Sequence, residues 1–262
     1  MGIERLGEEN YNTFGTLMKI VEYNRNDDVI VEFQDEYKSK VHTSYQQFKN
    51  KKVKNPYDKE VFGIGYIGQG KYKSSKNKNF SKIYNAWVYM LRRCYDPYYL
   101  NKYPTYIDVY VCDEWHNFQN FAQWWEENVY NCNNERMHLD KDILIKGNKI
   151  YSPETCIIVP ERINLLFVKS SKNRGKHPIG VHEHYDKKYG YKNLQVCCSI
   201  YRDGKKNLKY LGTFPLDRPF QAFTCYKNFK EKYIKQIADE YNELIPKKLY
   251  NALYNYEVEI ND

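Results

Sequence analysis

The chain contains no C-x-x-C pair, and no histidine stands at zinc-ligand spacing from any of its seven cysteines, Cys94, Cys112, Cys132, Cys156, Cys197, Cys198 and Cys225. A structural zinc site of the finger or ribbon type is therefore not expected, and the thiols read as buried and free in a reducing compartment. No apolar run approaches the roughly 20 residues that span a bilayer. The opening, Met1 to Glu9, is polar and does not read as a secretory signal. The expectation is a soluble cytoplasmic protein with no membrane partner. Neither sign of charge dominates: 41 Lys and Arg against 33 Asp and Glu leave +8, an excess that favours a polyanionic partner without naming one.

Aromatic residues are abundant. They make up 17% of the chain, 28 of them Tyr, and hydrophobic residues reach 42%, which is enough to exclude disorder throughout. With 262 residues, two or three compact units are expected. Lys and Arg are interleaved with Tyr, a pattern that suits nucleic acid because cations contact phosphate while aromatic faces stack on bases or sugars.

The expected architecture is α+β. Residues 1–60 read as a small β unit, with strands over 17–23 and 29–33 and a further strand over 40–45 closing a small sheet or barrel. The glycines between Gly63 and Gly70, followed by KYKSSKNKN, read as a flexible basic linker over 61–78. Their spacing is a weak match to a phosphate-binding fingerprint, since no βαβ context surrounds them. Ile83, Trp87, Met90, Leu91 and Cys94 share one helical face, which leaves Arg92 and Arg93 on the solvent or phosphate side; Trp115, Phe118, Phe121, Ala122 and Trp125 mark a second helix. MHLDKDILI and a run ending in Cys156-Ile157-Ile158-Val159 form a hairpin around Lys146-Gly147-Asn148-Lys149, and Pro160 opens a short helix, giving a ββα order. A basic break over 171–176, carrying Lys172 and Arg174, precedes three strands over 180–184, 191–201 and 208–214 and one or two helices ending before Pro246.

The stretch LDKDILIKGNKIYSPETCIIVPERIN, with WVYMLRRCYDP and VCDEWHNFQNFAQWW ahead of it, resembles phage HNH-type endonucleases of the His-Me finger class over residues 79–170. The resemblance implies a ββα core in which one divalent ion, Mg²⁺ or Mn²⁺, steadies the leaving oxygen while a histidine on the first strand activates water. Carried over by position, Asp140 and Asn164 are the implied metal ligands. Lys141 stands where active members have the general-base histidine, and Thr155 stands where an asparagine would orient it. His138, two residues before Asp140, shares its strand face and reads either as a ligand or displaced base or as an ordinary strand histidine.

GVHEHYDKKYGYKNLQVCCSIYRDGKKNLKYLGTF and the helix after it resemble the three-stranded DNA-binding domain of the plant APETALA2 and ethylene-response factors, over residues 177–262. That resemblance implies a sheet laid in the major groove. The candidate contacts are His182, His184, Tyr191, Lys192, Tyr201, Arg202 and Lys209, with Arg92, Arg93, Lys172 and Arg174 as further phosphate contacts. The expected function is binding of double-stranded DNA around an HNH-like core that nicks DNA with Mg²⁺ or Mn²⁺. Two alternatives stand beside it: a catalytically silent DNA-binding regulator, and a phage protein that binds and inhibits a host defence protein.

Overall fold

Alternation of apolar and polar residues sets the first sheet. The computed structural model describes residues 5–76, 79–168, 176–188, 190–202, 205–260 and 262. Strands β1 (Glu9–Tyr11), β2 (Leu17–Arg25), β3 (Asp28–Phe33) and β4 (Lys40–Thr43) lie antiparallel in that order. Met18 pairs with Phe33 and Ile20 with Val31, and these four residues lie fully buried beneath Phe48 of α1 (Tyr45–Lys49) and Val53. The sheet is open, so the barrel alternative does not hold.

The glycine-rich segment is not loose where it is described. The N–H of Tyr66 donates to the His116 carbonyl at 2.9 Å, and the Tyr66 carbonyl accepts from Phe118 at 2.9 Å. Gln119 binds the segment again, its Nε2 donating to the carbonyls of Ile67 and Tyr72 and its Oε1 accepting from Tyr72 N–H. The glycines permit this approach: a Cβ on Gly65 would lie 2.4 Å from Leu91 Cδ1, and one on Gly70 2.3 Å from Gln119 Oε1. The expected flexible linker is thus a bound strap, tied by side-chain amide bonds that spacing alone does not reveal.

After the short pair β5 (Ser75–Lys76) and β6 (Asn79–Phe80) comes α2 (Lys82–Tyr95), where Ser81 Oγ accepts from Tyr84 N–H and caps the helix. Its buried stripe, Trp87, Met90, Leu91 and Cys94, follows the helical spacing, while Ile83, read on the same face, is only half-buried. Trp87 Nε1 donates to the Trp115 carbonyl at 2.7 Å, so this tryptophan enters the core with its polar atom satisfied. α3 (Pro97–Lys102), β7 (Tyr110–Val111) and α4 (Phe118–Asn128) follow. Trp115 lies in a 3-10 turn before α4 and not on the helix itself.

Two compact units divide the chain: residues 1–127 with 150–152, and residues 128–149 with 153–262. The division passes through the segment 79–170 expected as one core. In the second unit, β8 (Met137–Asp140) pairs antiparallel with β10 (Ile157–Pro160), and α5 (Glu161–Asn164) follows directly, so the ββα order is present. The intervening β9 (Ile150–Tyr151) belongs to the first unit, where it runs parallel to β7. β11 (Val181–Asp186), β12 (Tyr191–Arg202) and β13 (Lys205–Phe214) form an antiparallel sheet, followed by α6 (Pro219–Glu240) and α7 (Lys247–Tyr254). α7 begins after Pro246, where the sequence reading ends its helices.

Helix and strand take 33% and 27% of the structure in several small sheets, so neither dominates and the fold is α+β. Among the described residues no helix is long and apolar enough to cross a membrane. No two of the seven cysteines are joined by a disulfide.

Candidate functional site

β8 stops at Asp140 for a local reason. Asp140 Oδ1 accepts the N–H groups of Asp142 and Ile143, both at 2.8 Å, turning the chain out of the strand in place of a ladder hydrogen bond. The strand read from MHLDKDILI therefore ends after its fourth residue. Burial pushes the Asp140 carboxyl above the usual carboxylate range, and its two backbone N–H donors only partly offset this.

Lys141, which the resemblance to HNH endonucleases aligns with a general base, is buried to 7% exposure. Its Nζ donates to Asp142 Oδ1 at 2.7 Å and to the Asn148 carbonyl at 2.6 Å, while Asn148 Nδ2 donates back to the Lys141 carbonyl at 2.9 Å. These three bonds close the excursion 141–148. Asp142 Oδ1 and the Asn148 carbonyl are both acceptors, so in these bonds the amine donates and holds the loop.

His138 and Asp140 share one face of β8, opposite Val159 and Ile157 of β10. His138 Nε2 lies 3.6 Å from Glu161 Oε1 at the first residue of α5. Asn164 closes the same short helix, and Thr155 lies half-buried ahead of β10. Among the described residues no three His, Cys, Asp or Glu side chains gather as a metal-ligand group. The donors here are the Asp140 carboxylate, already engaged at Oδ1, His138, and Glu161, whose carboxylate is turned to His138. That set does not make a fitted Mg²⁺ or Mn²⁺ cradle, and no chemical step is derived through an ion.

The register of the three-stranded sheet sorts the other candidates. Val181, Leu194, Val196 and Cys198 face α6, where they are buried with Ala222, Phe223 and Tyr226. Because side chains alternate, the opposite face carries His182 and His184 of β11, Tyr191, Gln195 and Tyr201 of β12, and Lys206, Tyr210 and Thr213 of β13. His182, Gln195 and Thr213 form one cross-strand row, and Tyr201 stands opposite Lys206. His184, Tyr191, Lys206, Tyr210 and Thr213 are exposed.

Lys192 and Lys209 have the other parity. Lys209 Nζ lies 5.5 Å from the ring centroid of Phe229 on α6. Lys192 joins His177 and Lys176 around Glu183, at 3.4, 3.0 and 3.7 Å respectively. His177 first, then Lys192, hold the Glu183 carboxyl below its usual range. These two lysines therefore cannot contact a groove together with His182 and His184. Arg202 ends β12 opposite Lys205.

In the first unit, Arg92 pairs with Asp96 at 3.1 Å and remains part exposed. Arg93, expected on the outside, is instead turned inward, with Nη1 donating to Tyr151 Oη at 3.3 Å. Burial opposes its charge, but the hydroxyls of Tyr151, Tyr106 and Tyr99 outweigh that and leave its proton held more tightly than usual. A phosphate contact from Arg93 is not compatible with this placement. Lys172 and Arg174 lie outside the described residues.

Sequence reasoning passed over Lys206 and Tyr210, although the period of two places them on one face, and over Thr213, which joins that face only through the register shift opposite Val196 and Cys197. It also passed over Asn148 and Glu161, which no spacing rule marks. No protein-family model, no curated protein and no solved structure matched the chain when compared with it.

Proposed function

We propose that this protein binds double-stranded DNA through the face of the β11–β13 sheet turned away from α6, as in the APETALA2-type domains that the segment resembles. The observation that carries the reading is the sorting by register: imidazole, phenol, hydroxyl and ammonium groups from all three strands stand on one face, where His184, Tyr191, Lys206, Tyr210 and Thr213 are exposed. A three-stranded sheet enters a major groove by one face, and these groups can bond to base edges and phosphates. The HNH-like hairpin acts here as a second binding element that does not hydrolyse DNA, because Lys141 is committed to its loop.

Binding of a random duplex across a salt series tests the first half. The expected result is log K falling linearly with log salt, with Lys206→Ala lowering the slope by about one. A slope near zero would remove nucleic acid as the partner and favour a protein target. A second reading, metal-dependent nicking, draws on His138 and Asp140 sharing a strand face. Supercoiled plasmid with Mg²⁺ or Mn²⁺ decides it: cutting above that of Asp140→Ala restores the endonuclease, and equal background supports the silent form.

A further inference from the structure

Lys230 on α6 is 8% exposed, and among the described residues no carboxylate pairs with its amine. A buried ammonium without a counter-charge is costly and is rarely retained without a partner. The side chain lines a cleft of about 170 Å³ between α6, the second half of β12, the turn 165–168 and the segment 256–262. The charges around the cleft are one-sided. Lys206 adds a second cation, and Asp262, the one carboxylate lining it, is engaged 2.9 Å from Lys146. Cys198 neighbours the amine without neutralising it.

Leu166, Phe167, Ile179 and Val258, with the ring of Tyr256, make an apolar part of the remaining wall, and Cys197, Ser199 and Tyr201 line the rest. An apolar cavity of about 150 Å³ accepts a benzene ring, so this cleft has room for one ring or a branched chain of similar size. We propose that the cleft is a binding site for a small organic carboxylate, its anion paired with the Lys230 ammonium and its apolar body lying against Phe167 and Val258. This explains why a lysine occupies a position where a leucine or methionine would pack without desolvating a charge. Burial draws the Lys230 proton affinity below its usual value, and a bound anion restores it. Lys206 and Tyr201 are shared with the sheet face proposed to meet DNA, so the test rests on Lys230, which is not on that face.

The test titrates the full-length protein with benzoate and, separately, with the neutral benzyl alcohol, by calorimetry. Saturable benzoate binding that weakens at least tenfold in Lys230→Met, with benzyl alcohol unaffected by the substitution, is expected. A complementary readout uses the wild-type protein alone: acetylation of Lys230 by an amine-directed reagent, followed by mass spectrometry, slows severalfold when benzoate is added. Failure of benzoate to saturate the folded wild-type protein, equal affinity in Lys230→Met, or unchanged acetylation of Lys230 overturns the proposal.

Discussion

Replacing Lys141 by Met separates a loop clamp from a catalytic residue. The substitution keeps the buried aliphatic stem and removes the ammonium, so what is lost is the bond to the Asn148 carbonyl at 2.6 Å and the ion pair with Asp142 at 2.7 Å. Asp142 is 53% exposed and can return to water, so its share is about 0 to 1 kcal/mol. The Asn148 carbonyl is half-buried, and losing its charged donor costs about 1 to 2 kcal/mol. The sum, about 1 to 3 kcal/mol, corresponds to a fall of roughly 0.5 to 1.5 M in the urea midpoint at a slope near 2 kcal/mol/M. The four tryptophans, Trp87, Trp115, Trp124 and Trp125, all lie in the first unit, so their fluorescence reports that unit. Hydrogen exchange of peptides covering 137–149 in urea reports the hairpin. The expected outcome is an earlier hairpin transition with the fluorescence transition unmoved. A hairpin midpoint unchanged within error, combined with loss of DNA cutting, would refute the clamp and return Lys141 to the chemistry.

Asp140→Asn tests the turn in a different way. With its folded-state pKa raised, Asp140 contributes stability that is fully present below the unfolded value, near ~3.9, and is lost as pH rises through the folded value. Asparagine retains an acceptor oxygen for Asp142 and Ile143 but does not ionise, so the variant is expected to lose less stability than the wild type between pH 4 and pH 7 in paired urea titrations. Gly180 has φ +79°, and a Cβ there would meet Tyr226 Cδ2 at 2.0 Å. Gly180→Ala is expected to cost about 2 to 5 kcal/mol from left-handed strain and overpacking together, read as a lower midpoint for the second unit. Arg93→Met removes the charged donor from the Tyr151 hydroxyl and is expected to destabilise the first unit by about 1 to 3 kcal/mol while leaving DNA affinity unchanged in the salt-series assay. Lys206→Ala should do the reverse.

Periodic features were legible in the sequence. The hairpin of β2 and β3, the stripe on α2, the ββα order and the three C-terminal strands follow from patterns two or three to four residues long, and the structure contains them. What was not legible depends on partners distant in sequence. Arg93 reads as an outward cation from the α2 spacing, but Tyr151, 58 residues on, supplies the hydroxyl that draws it inward. Gly63 to Gly70 read as loose chain because glycine marks both mobility and close approach; here Gln119 and the ring of Trp87 decide for close approach. The loss of strand character after Asp140 depends on its own side chain competing for two backbone donors, which apolar alternation through Ile143 and Ile145 conceals.

The helix α6 explains why the hairpin and the three-stranded sheet fall in one compact unit. Ala222, Phe223 and Tyr226, in its first half, cover the sheet. Tyr233, Ile234, Ile237 and Ala238, in its second half, are buried with Ile157, Val159 and Ile163 of the ββα element, and Leu249 and Leu253 of α7 join them. A fragment ending at residue 170 would leave the apolar face of the hairpin without those six side chains. Each fully buried large aliphatic or aromatic side chain contributes about 1.5 to 3 kcal/mol, so their removal is comparable with the net stability of an ordinary domain, about 5 to 15 kcal/mol. A fragment ending at residue 170 is therefore expected to lose the hairpin's protection in hydrogen exchange. The same helix also fixes which parity of β12 and β13 faces outward, so one element completes the hairpin core and selects the sheet face proposed to meet DNA.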